Sequence, residues 1–286
     1  MSNGLRRRGK MKLSARIKPW LLLTPALLFL LLPLYGLWSA FRLSVYPDGK
    51  LTGQVYVRLF SHSDFLLSFF YSLWIAAAST FLSLLIGWFF TRAFVPMLER
   101  TGGRLTVWLP MVFPHFVWAY LVLLLFQEGG LVSGLLPGNR AYANDPEGVG
   151  IILTYMGKEI PFVILMLLPV YLTRNRLYDD LTETLGGCWI SKIRDAELPF
   201  VTPVLIETGI IIFAFTFSAY EVPALVGATF PEMLSILTFD WFYSGDWSER
   251  PLAFAAMVFL TTVIGLISLL LFHFINKMRR NITEGL

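Results

Sequence analysis

Three carboxylates stand where carboxylates are expensive. Glu159, Glu207 and Glu221 fall within or beside long apolar runs of the 286-residue chain. A charge at bilayer depth marks a pathway or a paired site. Glu207 follows Pro199 by eight residues, ~12 Å along a helix at 1.5 Å per residue. It reads either as a group on a translocation route or as a structural carboxyl hydrogen-bonded between helices. Glu221, beside Tyr220, comes fourteen residues later, ~21 Å further on and near the far mouth. Lys158 and Glu159 are neighbours, so on a helix they point roughly 100° apart. Lys158 reads as snorkelling to the surface. Glu159 reads as facing a pathway, with Pro161 loosening the helix beside it.

No bond-making constellation accompanies these acids. The chain has no G-x-x-x-x-G-K-[ST] phosphate loop and no H-E-x-x-H pair, and no G-x-S-x-G elbow is present. Its three histidines, His62, His115 and His273, are scattered. A single cysteine, Cys188, excludes an internal disulfide framework and a cysteine-cluster metal site. The expectation is a chain that is not an enzyme and holds no metal or cofactor of its own. The acids would serve binding or conformational change.

The elements that would position them are membrane spans. The chain is 56% hydrophobic and only 15% charged, with a mean hydropathy of +0.65. A soluble domain carries about one-quarter charged residues. Six apolar stretches, 20–41, 65–94, 105–126, 149–171, 201–225 and 252–275, reach or approach the ~20 helical residues that cross a bilayer. Backbone groups in lipid bond within their own segment, so these are helices. The first stretch has the basic start of a signal peptide, but its apolar core is too long and no small-x-small site follows, so it reads as a retained span.

Positive residues orient the spans. Seven Lys/Arg precede residue 20, from Arg6, Arg7, Arg8, Lys10 and Lys12 onward. Arg92, Arg100 and Arg104, then Arg174, Arg176, Lys192 and Arg194, then Lys277, Arg279 and Arg280 fall on the same side. That makes seventeen against five on the other side (Arg42, Lys50, Arg58, Arg140 and Arg250). The positive-inside rule puts both termini in the cytoplasm. The basic residues flank apolar segments, so the net charge of +4 does not signal nucleic acid. Ten acids, among them Asp48, Asp145, Glu232, Asp240 and Asp246, fall outside. They read as solvated loop charge or as a cation-attracting vestibule. Trp241, Trp247, Tyr220 and Tyr243 read as interface anchors.

The cytoplasmic loop 174–200 is too long for a tight turn and too patterned for a slack linker. Leu177, Leu181 and Leu185 recur at i, i+4 and i+8, one apolar stripe on a short helix. Asp179 and Asp180 sit near its start, where negative charge is favoured. Gly186 and Gly187 break it. A second short helix over 189–196 is expected to end at Leu198-Pro199, which opens the fifth span. The pattern fits a helix pair docking on a cytoplasmic partner and equally an interfacial helix lying on lipid.

This loop resembles the "EAA" loop of binding-protein-dependent ABC importer permeases. That pattern is E-A-A, three residues, G, nine residues, then I-x-L-P. Here Asp180-Leu181-Thr182 stands at E-A-A, Gly186 is the glycine, and Ala196-Glu197-Leu198-Pro199 stands at I-x-L-P with the spacing kept in full. Asp for Glu, Leu-Thr for Ala-Ala and Ala for Ile are the departures. Phe65 to Ser68, Ser79-Thr80 and Gly87 are similar to the start of the family's core domain. Pro161-Phe162 to Leu168 is similar to its span before the loop, and Ala219 to Gly227 to its external segment after the fifth span. The Tyr220-Glu221-Val222-Pro223 segment looks nearest the spermidine/putrescine-type branch.

The resemblance implies an all-α integral membrane protein of the type I ABC importer permease fold, with six transmembrane helices and a cytoplasmic helix–Gly–helix coupling loop. It divides the chain into a basic tail 1–19, a first span 20–41, a core 65–275 and a C-terminal tail 276–286. It implies two permease subunits, homologous or identical, in the bacterial inner membrane. Two partner ATPases would bind ATP and Mg, and an external binding protein would deliver solute. Asp180 would face a basic group on the ATPase. Leu181 and Leu185 would anchor, Gly186 would let the second helix turn back, and Leu198 and Pro199 would close the motif. Glu207, Glu221, Glu159 and Tyr220 are the pathway candidates. The rival readings are an ion-coupled secondary transporter using Glu207 and an integral membrane enzyme, for which no clustered His/Asp/Ser constellation exists.

Overall fold

The computed structural model describes residues 6–47, 49–135, 141–175, 177–243 and 247–284, with side chains from 23 to 277. Asp48, Arg140, Arg176 and Asp246 lie outside the described residues, as do the side chains of the N-terminal basic residues and of Arg279 and Arg280. Every regular element among the described residues is helical.

The long helices are α1 (Arg6–Val45), α3 (Ser63–Leu98), α6 (Val149–Thr173), α9 (Leu198–Ser218) and α12 (Arg250–Glu284). Shorter ones are α2 (Gln54–Ser61), α4 (Thr101–Val112), α5 (His115–Phe126), α7 (Leu177–Thr184), α8 (Trp189–Ser191), α10 (Glu221–Val226) and α11 (Leu234–Tyr243). Five helical runs are long and apolar enough to cross a membrane, and α4 with α5 forms a sixth, bent by 86°.

That bend corrects the expectation of one straight span over 105–126. Proline disfavours helical backbone in the residue before it, and Phe113 is extended at ψ 133°. Pro114 then caps α5 in the extended region. Backbone groups freed at bilayer depth need new partners, and side chains supply them. Lys158 Nζ donates to the Phe113 carbonyl at 3.0 Å, and Trp118 Nε1 donates to the Pro110 carbonyl at 3.2 Å. Lys158 therefore turns to the break and does not snorkel away. By contrast, α6 runs unbroken through Pro161 and Pro169. Its N-terminus is capped by the buried Asp145 carboxylate, which accepts from the Val149 and Gly150 N–H groups at 2.8 and 3.0 Å.

The centre of the molecule is α3 packed against α6 and α9. Ser68, Ser72, Ala76, Ser79, Ser83, Gly87 and Thr91 are all buried and recur every third or fourth residue along α3. Small residues let helix backbones approach closely in a membrane. At Gly87 an added Cβ would stand 2.6 Å from Val163 Cβ. Around this seam Val95, Val163, Leu167, Val201 and Ile212 fill the half nearer the loop after α6. Ile75, Val122, Ile151, Tyr155 and Val222 fill the other. A third cluster joins α2, α11 and the start of α12 through Leu59, Leu234, Trp241 and Leu252. Trp241 is thus a core residue stacked edge-on against His62, not an exposed interface anchor.

The fifth span also differs from its expected bounds. The helical run begins at Trp189, passes through a π-turn at Lys192–Glu197, and continues as α9 to Ser218. Leu198 and Pro199 do not end a helix. Pro199 lies in the first turn of α9, directly after the π-turn. Ala219 is extended, and Glu221 begins the separate short α10.

Candidate coupling loop and intramembrane site

The loop after α6 is built from local rules. Leu177, Leu181 and Leu185 are all exposed on and just beyond α7, as their spacing predicts for one outward stripe. Asp179 and Asp180 occupy its first turn. Gly186 ends it at φ +77°, a left-handed conformation that side chains with a Cβ disfavour. The Gly187 N–H bonds the Thr182 carbonyl at 2.8 Å and the Gly186 N–H bonds the Glu183 carbonyl at 2.9 Å. That pair of bonds is the Schellman closure. Cys188 is exposed beyond it, its thiol held below the ordinary value first by the Ser191 backbone and hydroxyl, then by the Ile190 backbone.

Ion pairs fix the loop to the spans. Arg174 gives Asp179 a two-pronged contact at 2.9 and 2.6 Å and also donates to the Ala196 carbonyl at 2.9 Å. Lys192 pairs with Glu183. Glu197, only 4% exposed, accepts from Arg92 Nε at 2.9 Å, from Trp88 Nε1 at 3.2 Å and from the Tyr171 hydroxyl. The Arg92 guanidinium lies 5.0 Å from the Trp189 ring centroid. Of these groups Arg92, Tyr171, Arg174, Asp179, Trp189, Lys192 and Glu197 line a cavity of about 450 Å³ between the spans and the loop. Asp180 is exposed.

The second assembly lies at the broken span. Glu159 is buried and its Oε1 lies 3.0 Å from His115 Nε2. The His115 ring packs on Phe215 of α9 at 4.5 Å between centroids and near Tyr155 at 6.2 Å. Tyr155 is fully buried, and its hydroxyl has no hydrogen-bond partner among the described residues. Glu221 and Glu159 both lie within electrostatic reach of that hydroxyl. Helices α5 and α6 thus bring one of the expected acids, Glu159, against a histidine beside a buried tyrosine. Glu159 is half of a buried pair. Discontinuous helices carry the binding sites of many transporters.

The remaining candidates are placed apart. Glu207 is half-buried on α9, eight residues before Phe215, ~12 Å along the axis. Tyr220 stacks on Phe239 at 4.6 Å, and Phe239 on Tyr243 at 4.5 Å, as an exposed aromatic row. Leu198 and Pro199 are half-buried at the start of α9. Sequence reasoning missed His115 and Glu197. The signal for His115 was its place directly after Pro114; Glu197 carried none beyond its place in the loop pattern. Among the described residues no group of three or more His, Cys, Asp or Glu could hold a metal ion.

No protein-family model matches the chain. It is 28% identical over 191 residues to the inner membrane ABC transporter permease protein YnjC of Escherichia coli (strain K12). That match covers 65% of this chain and 36% of YnjC, so the chain spans about a third of the curated relative's length. Two solved structures superpose at a TM-score of 0.68: a bacterial ABC transporter involved in import of the acidic polysaccharide alginate, and the alginate transporter in complex with an alginate pentasaccharide-bound periplasmic protein. They are 19% and 20% identical, cover 95% and 98% of this chain, and are each matched over 99% of their own length. The inward-facing MetNI methionine ABC transporter matches at a TM-score of 0.52 and 15% identity, over 76% of this chain and 99% of its own. This chain has the all-helical fold of ABC importer permeases.

Proposed function

We propose that the chain is the membrane-spanning permease subunit of an ATP-driven importer in a bacterial inner membrane. The observation that carries this is α7: three leucines exposed together on a helix that a Schellman closure and two ion pairs hold still. Burying a leucine on a partner returns about 1.5–3 kcal/mol, so such a stripe is a docking face. Asp180 at its edge supplies a carboxylate for a basic group across the contact. The partners in this reading are two ATPase subunits that bind ATP and Mg, a second permease subunit, homologous or identical, and an external solute-binding protein. The chain itself makes and breaks no bonds. It alternates between outward and inward access because its partners bind the two states differently.

The pathway in this reading passes the His115–Glu159 pair, with Glu207, Glu221 and Tyr220 along it. The solute is a small cation of the polyamine type. Support for that comes from the Tyr220-Glu221-Val222-Pro223 segment and from the acids at the outer end. Purification from the native membrane in mild detergent, with mass identification of what accompanies the chain, tests the function. The wild-type chain brings an ATPase with it. The double variant Gly186→Pro with Asp180→Lys inserts but comes without one, and uptake is lost. Uptake that survives this pair of changes and follows a proton gradient overturns the reading in favour of ion coupling.

A further inference from the structure

We infer that Glu197 is the positioning residue that makes the coupling loop move as one body with α3 and α6. This rests on the reading of α7 as the ATPase-docking helix. The Glu197 carboxylate gathers donors from two different spans: Trp88 and Arg92 of α3 and Tyr171 of α6. Arg92 also covers Trp189, at the start of the run that leads into α9. One residue before Glu197, the Ala196 carbonyl accepts from Arg174, whose other contact is Asp179 of α7. The carboxylate therefore lies where α3, α6, α7 and the entry to α9 converge.

The backbone explains why such a residue is needed. Residues Lys192–Glu197 form a π-turn, and Glu197 is its last residue. A π-turn is a local widening of the helix, found mostly at functional positions. Left alone, it is a swivel between α7 and the span. A displacement of α7 by its partner would be absorbed there. With Glu197 fixed to both spans, the displacement passes into α3 and α6, and α6 carries Glu159, the partner of His115 on α5. The cavity beside it holds Arg92, Arg174 and Lys192 against Asp179 and Glu197. Neutralising Glu197 leaves three cations there against one carboxylate and pushes the loop outward.

Cys188 supplies a natural probe, since it is the chain's only cysteine and is exposed at the loop's second turn. A nitroxide on Cys188, read by electron paramagnetic resonance with the full chain in lipid nanodiscs, reports whether the loop is held. Glu197→Gln and Arg92→Gln each raise its mobility, and the double variant raises it no further, because both remove one contact. Reconstituted with its ATPases, Glu197→Gln still hydrolyses ATP, but the ATP used per solute imported rises by about tenfold. Trp88→Phe, which removes one donor and no charge, gives a smaller change in the same direction and serves if Glu197→Gln does not fold. Unchanged label mobility, or an unchanged ATP-to-solute ratio, overturns the inference. Absence of any ATPase partner for the wild-type chain overturns the functional reading instead, and the spin-label arm still reports on the clamp.

Discussion

Glu232 lies in the turn between α10 and α11, half-buried and facing the carboxylates of Asp240 and Asp64. Burial first, then these two charges, push its carboxyl up to about 7 from 4.5. In the unfolded chain it ionises near its ordinary value. Between pH 4.5 and about 7, the folded chain keeps a proton that the unfolded chain has released, so stability falls as pH rises through that window. Below the window both states are protonated and nothing is lost; above it the cost is complete. Glu232→Gln removes the cost. The expected result is a higher unfolding temperature at pH 8, worth on the order of 1 kcal/mol once screening at a half-exposed site is allowed for, and no change at pH 4. Thermal unfolding followed by tryptophan fluorescence in nanodiscs reads this, and equal shifts at both pH values would refute the account. The His115–Glu159 pair belongs to the same scale with the opposite outcome. There the carboxylate is buried but partnered, and truncating one member strands the other at a cost of about 1–3 kcal/mol.

Among the elements, the α3–α6 contact depends most on one small residue. Gly87→Ala puts a methyl group within 2.6 Å of Val163 Cβ and Cγ1. The side chain there is β-branched and has little freedom to move, so the helices must separate. A loss of about 1–3 kcal/mol is expected. Gly36→Ala in α1, where nothing lies within 4 Å, should be neutral or slightly stabilising. Equal unfolding temperatures for the two variants would show that the seam is looser than drawn. The elements also divide by what the sequence could reveal. Leu177, Leu181, Leu185 and Gly186 were legible because a helical stripe and its glycine stop are written within ten residues. The break in the third span was not, because an apolar run measures length and is blind to direction; Phe113-Pro114 was the local sign. The Glu197 clamp was beyond reach, since its partners Arg92 and Trp88 are 105 and 109 residues away. Nothing near Glu197 distinguishes a buried carboxylate from a solvated one.

At the scale of the whole molecule, the two ends of the bundle do different work, and their sidedness decides the function. α6 alone, with 25 residues, separates Asp145 at one face from Arg174 at the other by ~37 Å, more than a hydrocarbon core. Helix α7 and Cys188 lie at the Arg174 end; Glu221 and the aromatic row of Tyr220, Phe239 and Tyr243 lie at the other. α1 leans on α12 and leaves most of its apolar side chains exposed, as expected of a helix whose neighbours are lipid or another subunit. On the positive-inside rule, the excess of Lys and Arg at the Arg174 end predicts that this end faces the cytoplasm. A membrane-impermeant maleimide should therefore label Cys188 in inside-out vesicles and not in intact cells. Labelling should be faster than that of an ordinary exposed thiol at the same pH, because the thiolate is the reactive form and this thiol is held below its ordinary value. Tyr243→Cys in a Cys188→Ser background should give the reverse pattern. Labelling of Cys188 from outside would put the leucine stripe on the side without ATP, and an ATPase-coupled permease would then be excluded whatever the fold.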